Sequence, residues 1–252
     1  MDVNAYLKRI GLTKIEKPSL SWLSCLQTNH ILSVPFETLS IHRDDETVSL
    51  ESDLLFEKIV ERRRGGFCYE LNGLFAELLE AVGFEVTRIS AKVYSEAKDE
   101  FGPEFDHLAL LVQLDKKYLV DVGFGNQLRI PLVMPNGDAE DAEGRFRIVR
   151  NLHGIDDYMY EKMEDGQWLP KYRFSSMPRD ITEFAPMCHW QQTSPDSHFT
   201  VQPLCSQATE TGRKTLVPKR FIVTDLNQTE ATPVRSTEDY NKLLKEHFGI
   251  DL

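Results

Sequence analysis

The hydrophobic period of this chain changes at Gly83, and that change restricts the fold more than any other feature. Before it, Leu71, Leu74, Phe75, Leu78, Leu79 and Val82 repeat at amphipathic-helix spacing, closed by Gly83 where a helix end favours glycine. Upstream, Val3, Tyr6, Leu7 and Ile10 keep helical spacing as far as Gly11. A second helical segment starts at Ser19, a suitable N-cap, and carries Leu20, Leu23, Leu26 and His30 before Pro35 stops it. A third runs from about Ser52 through Leu55, Ile59 and Val60 into Arg62-Arg63-Arg64, where Gly65-Gly66 breaks it. After Gly83, residues 84–93, 108–113, 118–122, 146–149, 158–163 and 168–174 read as short strands between turns. Residues 134–144 read as an acidic solvated loop, and 175–203, with four prolines, as irregular chain. Two or three more strands and a final helix from Ser236, with a capping-box spacing to Asp239, complete the pattern. Helices first and strands afterwards predict an α+β fold, not an alternating α/β sheet.

Composition limits the partners. With 40 Asp+Glu against 29 Lys+Arg the net charge is −11, which excludes duplex nucleic acid because that binding needs a basic footprint. Four cysteines in 252 residues are too few for a secreted disulfide scaffold. The first residues lack the apolar run of a signal peptide, and residues 108–112 are too short to cross a bilayer. A reduced, cytoplasmic chain without membrane partners is expected. Asn227-Gln228-Thr229 matches a glycosylation sequence, by chance in a chain without an export signal.

Chemistry concentrates in residues 64–72, Arg-Gly-Gly-Phe-Cys-Tyr-Glu-Leu-Asn. Cys68 follows two glycines and stands in the first turn of the best-defined helix. A helix N-terminus lowers a thiol pKa from roughly 8.5 and presents N–H groups to a developing oxyanion. Cys25, Cys188 and Cys205 read as small buried apolar residues instead. A cysteine nucleophile needs a base and an orienting group. His107 opens one apolar strand and Asp121 closes the next. An odd-length loop between those strands puts both side chains on one face, and an even one separates them. Gly123-Phe124-Gly125 follows, where glycines let a ligand approach the backbone; a strand-end bulge accounts for the same residues.

The segment from Arg64 to Phe75, His107-Leu108 and Asp121-Val-Gly-Phe-Gly125 resemble the signature blocks of the arylamine N-acetyltransferase family. Val34-Pro35-Phe36-Glu37-Thr38-Leu39 is similar to its Pro-Phe-Glu-Asn-Leu block, with Thr38 replacing the usual asparagine. Tyr6 to Gly11 fits as well, and beyond Phe124 the likeness is looser, through Ser197-His198-Phe199 and residues 212–216. The resemblance implies three parts: a helical bundle over 1–85, an antiparallel β-barrel over 86–195 and an α/β lid over 196–252. It implies Cys68, His107 and Asp121 as nucleophile, base and orienting carboxylate, and Phe36 and Phe124 as walls of the acceptor pocket. It also implies acetyl-CoA as co-substrate, an arylamine or arylhydrazine acceptor, no metal, and a monomer or weak homodimer.

Gly125 with nearby amides, or Gly212, Arg213 and Lys214 with Lys219 and Arg220, are expected to meet the CoA phosphates. Ordinary surface charge explains those cations equally well. Whichever groups hold CoA must form a local patch against an acidic protein. A transglutaminase-like or hydrolytic enzyme using the same three residues is the alternative. Cys188-His189, His198 and Cys205 do not have the spacing of a zinc finger or ribbon.

Overall fold

A computed structural model describes residues 1–151, 158–226 and 228–252, so that Asn227 of the glycosylation-like sequence lies outside the described residues. The helices are α1 (Val3–Arg9), α2 (Leu20–Ser33), α3 (Ser52–Phe56), α4 (Cys68–Ala81), α5 (Ala185–Thr193) and α6 (Thr237–Phe248). The strands are β1 (Phe36–Glu37), β2 (Glu85–Ser95), β3 (Glu100–Phe101), β4 (His107–Gln113), β5 (Lys117–Val120), β6 (Leu132–Met134) and β7 (Asp138–Asp141). They continue with β8 (Gly144–Arg150), β9 (Tyr158–Glu164), β10 (Gln167–Phe174), β11 (Cys205–Ala208), β12 (Gly212–Val217), β13 (Arg220–Asp225) and β14 (Gln228–Pro233).

Side-chain caps start the helices where the sequence places them. Ser19 accepts the Trp22 N–H at 3.2 Å, and Ser236 accepts the Asp239 N–H at 3.1 Å. The third helical segment departs from its simple period. It widens at Glu57–Glu61 into a π turn, in which the Arg62 N–H reaches the Glu57 carbonyl at 2.8 Å.

A nine-stranded antiparallel sheet runs β6-β5-β4-β2-β10-β9-β8-β7, with β3 on β2, and β6 returns against β8 to nearly close a barrel. A second sheet runs β1-β11-β12-β13-β14. Strand β4 is buried on both faces, so its alternation sorts residues between two cores. Leu108, Leu110 and Val112 join the helices, while Ala109 and Leu111 join Phe146, Ile148, Tyr172 and Phe174 inside the barrel. On α4, Leu74, Phe75, Leu78 and Leu79 have no exposed surface, each contributing about 1.5–3 kcal/mol by burial. Phe184 and Cys188, from the chain after β10, fill the same helical core. A third core joins Leu216 and Phe221 to Leu244 and Phe248 of α6. Among the described residues, no helix is long and apolar enough to cross a membrane.

Three expectations are corrected. Residues 134–144 are not a solvated loop, because β7 pairs with β8. Two of the four acids are used inward: Asp141 accepts the Arg129 N–H at 2.7 Å, and Glu143 binds the Arg129 guanidinium at 2.7 Å, while Asp138 and Glu140 stay exposed. Residues 175–203 are not irregular throughout. Pro186 lies in the first turn of α5, where its missing N–H costs the helix nothing. The final sheet contains four strands after residue 203, not two or three.

Candidate active site

Cys68 is the first residue of α4, and His107 and Asp121 come from the β4–β5 hairpin and its exit. The register Gln113↔Lys117 leaves a three-residue loop, so both side chains fall on one face. All three are buried, at 4%, 2% and 6% exposure respectively. His107 Nε2 donates to Asp121 Oδ2 at 2.7 Å, which leaves Nδ1 as the basic nitrogen of the neutral ring.

Asp121 collects donors from elements far apart in the chain. Oδ1 accepts Asn72 Nδ2 at 2.8 Å and the Gly123 N–H at 2.9 Å. Oδ2 accepts the Tyr172 hydroxyl at 3.2 Å in addition to His107. Asn72 stands one turn beyond Cys68, and its amide also donates to the Leu108 carbonyl at 2.7 Å while Oδ1 accepts the Val122 N–H at 2.9 Å. One buried amide therefore ties the cysteine's helix to the strand of the histidine and to the carboxylate. Gln127 holds the next loop, donating to the Asp121 carbonyl at 2.6 Å and accepting the Phe124 N–H at 2.8 Å. The roles of Asn72, Tyr172 and Gln127 were not read from the sequence. For Asn72 a signal existed, since an asparagine four residues past Cys68 on a buried helix face needs partners. Tyr172, 51 residues from Asp121, offered none.

Burial pushes the Cys68 thiol well above its ordinary range; the Leu108 N–H opposes this, and Cys188, Asp106 and Asp121 add to it. The helix start alone does not make a thiolate here. A thiolate at this position would need a cation beside it.

Phe124 lies against His107 with ring centres 5.1 Å apart and against Tyr172 at 5.0 Å. Phe36 stands elsewhere, 6.1 Å from Phe199, which in turn meets Phe67 at 5.7 Å beside Cys68. Gly125 and Arg213 are brought together, the guanidinium donating to the Gly125 carbonyl at 2.7 Å and pairing with Glu143 at 3.1 Å. Lys214 points away from them, its ammonium bonded to the His247 carbonyl and 5.1 Å from the centre of the Phe248 ring. Gly212 uses its carbonyl on Arg129, at 2.9 Å. In the Arg62–Arg64 run, Arg64 is buried and pairs with Glu37 at 2.8 Å and Glu46 at 3.0 Å, while exposed Arg62 reaches Glu46 at 2.8 Å.

Gly123 lets the hairpin exit approach α4 closely. A Cβ there would stand 2.7 Å from Cys68 Cα and 2.8 Å from Asn72 Nδ2, both in rigid surroundings. Gly123→Ala should cost about 1–3 kcal/mol of stability by overpacking and reduce Cys68 reactivity more than it reduces folding. Thermal melting and alkylation of the folded variant measure the two effects, and unchanged alkylation would contradict this account.

The sequence model of the N-acetyltransferase family matches residues 19–252. The chain is 36% identical to the chicken arylamine N-acetyltransferase, pineal gland isozyme NAT-3, covering 100% of this chain and 95% of that protein. Its structure is similar to that of the NAT3 arylamine N-acetyltransferase from Bacillus cereus, with TM-score 0.92, 27% identity and full coverage of both chains. That enzyme is described as having a unique Cys-His-Glu catalytic triad, whereas the carboxylate on His107 in this chain is Asp121. Similarity also extends to the Mycobacterium marinum arylamine N-acetyltransferase in complex with CoA, with TM-score 0.88, 27% identity and coverage of 99% and 93%. A family match over nearly the whole sequence, on a fold shared from end to end, establishes that this chain belongs to the arylamine N-acetyltransferase family.

Proposed function

We propose that this protein is an acetyl-CoA-dependent N-acetyltransferase that carries the acetyl group on Cys68 to an arylamine or arylhydrazine. The carrying observation is the Asn72 anchor, which fixes the helix of Cys68 to Leu108 and to the carboxylate that orients His107. His107 takes the Cys68 proton on Nδ1, and the sulfur attacks the thioester carbonyl. The CoA thiol departs with that proton, leaving acetyl-Cys68. The amine then attacks the acetyl carbon, His107 accepts an amine proton and returns it to sulfur, and the amide leaves. Asp121 keeps Nε2 protonated throughout.

Phe124, against the His107 ring, is the nearer wall for a flat aromatic acceptor, and Phe36 bounds the side next to Phe67 and Phe199. For CoA the reading retains the Gly125 loop, supported by Arg213 on the Gly125 carbonyl. Arg213 then acts by shaping that loop, its guanidinium held between the Gly125 carbonyl and Glu143, a carboxylate it shares with Arg129. Gly212 and Lys214 support the surrounding sheet and α6 through the bonds they already make.

Incubated with acetyl-CoA alone, the protein should gain one acetyl group by intact mass and lose it when an arylamine is added. Cys68→Ala should gain none. An adduct that persists in Cys68→Ala would refute Cys68 as carrier. Acyl transfer from another donor, with no adduct from acetyl-CoA, would favour the hydrolytic or transglutaminase-like alternative.

A further inference from the structure

The start of α4 rests on an ion pair that the proposed reaction does not touch. Glu70 folds back so that Oε2 accepts the Phe67 N–H at 3.1 Å while Oε1 binds the Lys58 ammonium at 2.7 Å. Both side chains are largely buried, at 1% and 12% exposure. The fit extends to Gly66, where a Cβ would stand 2.7 Å from Glu70 Oε2. The carboxylate thus lies against the two residues that precede Cys68. Lys58 comes from the π turn after α3 and also faces Glu37 at 3.9 Å, which pairs with Arg64. The Glu37 N–H donates to the Gly66 carbonyl at 2.9 Å, so β1 and the chain before Cys68 share this support. The far side of the pair borders a cleft whose walls include Ser40, Glu46, Leu55 and Arg62 but not Cys68, His107 or Asp121.

A carboxylate in the first turn satisfies an otherwise unpaired N–H and suits the helix dipole. The same negative charge opposes a thiolate formed at the first residue of that turn. We propose that Lys58 is a charge-balancing positioning residue for Cys68: its ammonium cancels the Glu70 carboxylate, so Glu70 can hold the helix start without suppressing the nucleophile. This proposal rests on Cys68 being the acetyl carrier. Cys188, in the same core as Cys68, already registers both charges. Burial is the main cause that pushes its thiol up to about 12; Glu70 adds to the rise and Lys58 opposes it. The other groups acting on Cys68 are Cys188 from α5, Asp106 and Asp121 from the hairpin side and the Leu108 N–H, with His107 as its proposed base. Those facing the pair are Glu37 from β1 and Arg64 from the chain before α4. None of these groups is itself altered when only residues 58 and 70 change.

The experiment follows alkylation of Cys68 against pH, located by peptide mass, in wild type, Lys58→Met, Glu70→Gln and the double variant. Lys58→Met should move the midpoint up by about one pH unit, and Glu70→Gln should move it down by a similar order. The double variant should return close to wild type, because the opposed charges leave together. A merely structural clamp would slow alkylation in both single variants without moving the midpoint, or move it the same way in both. Either result overturns the proposal. If Lys58→Met fails to fold by thermal melting, Glu70→Gln decides alone, since the amide oxygen still accepts the Phe67 N–H. A downward shift then supports the proposal, and no shift or an upward one overturns it. A wild type that takes no acetyl group on Cys68 refutes the functional reading instead, and unmoved midpoints in an acetylating wild type refute only the role of Lys58.

Discussion

Asp121→Asn is expected to slow acetyl loading of Cys68 by on the order of 10³–10⁴-fold while the protein still folds. The four donors around the carboxylate decide this. Oδ1 faces Asn72 Nδ2 and the Gly123 N–H, and Oδ2 faces His107 Nε2 and the Tyr172 hydroxyl. An asparagine offers one oxygen and one NH₂ in the same volume. If its oxygen stays on Asn72 and Gly123, its NH₂ faces His107 Nε2, which must then accept. The ring proton moves to Nδ1, and the nitrogen needed to take the Cys68 proton is occupied. If the amide turns over, its NH₂ meets two donors, Asn72 Nδ2 and the Gly123 N–H, and both buried hydrogen bonds are lost, at about 1–3 kcal/mol each. Both orientations keep the shape; the first spoils the tautomer of the base, and the second keeps it but removes the negative charge that stabilises the imidazolium. Single-turnover CoA release, followed alongside thermal melting, separates the two effects. A loading rate near wild type in a folded Asp121→Asn variant would show that Asp121 does not set the histidine tautomer.

His107→Ala is expected to cut Cys68 alkylation at pH 7 by at least about 100-fold and to move its onset above the ordinary thiol range near 8.5. The sign follows from the surroundings of the sulfur. Burial disfavours the charged thiolate, the negative charges of Asp106 and Asp121 add to that, and the Leu108 N–H opposes it only in part. With an imidazolium present the thiolate is half of an ion pair, and labelling should begin below about pH 7 in the wild type. Without it, burial prevails. Removing the ring also opens space beside Phe124 and Tyr172, which by itself would speed labelling. A fall in rate is therefore attributable to the lost charge. Labelling of the wild type that begins only near 8.5 or higher would contradict the activated pair.

Much of the architecture was legible because it is written in short-range terms. The period from Leu71 to Val82, the caps at Ser19 and Ser236 and the break at Gly65-Gly66 concern residues within a turn or two of one another. The hairpin was legible for the same reason, since only the parity of its three-residue loop decides whether His107 and Asp121 share a face. Residues 134–144 misled because acids are normally solvated. Here Asp141 and Glu143 turn inward to Arg129, a partner that composition does not reveal. Arg213 and Lys214 looked equivalent as neighbouring cations on one strand. Strand alternation sends the first to Gly125 and Glu143 and the second to α6.

By itself, then, the sequence determined the order of helices and strands and the placing of Cys68 at a helix start, and it reduced the pairing of His107 with Asp121 to the parity of one loop. Those features depend on spacing along the chain. Only the tertiary structure decided that Asn72 and Tyr172 converge on Asp121 and that Glu70 is neutralised by Lys58. It also decided that the Cys68 thiol is pushed up by burial where the helix start alone would lower it. Desolvation and charge depend on which surfaces meet, and the surfaces that meet at Cys68 come from segments that the chain keeps far apart.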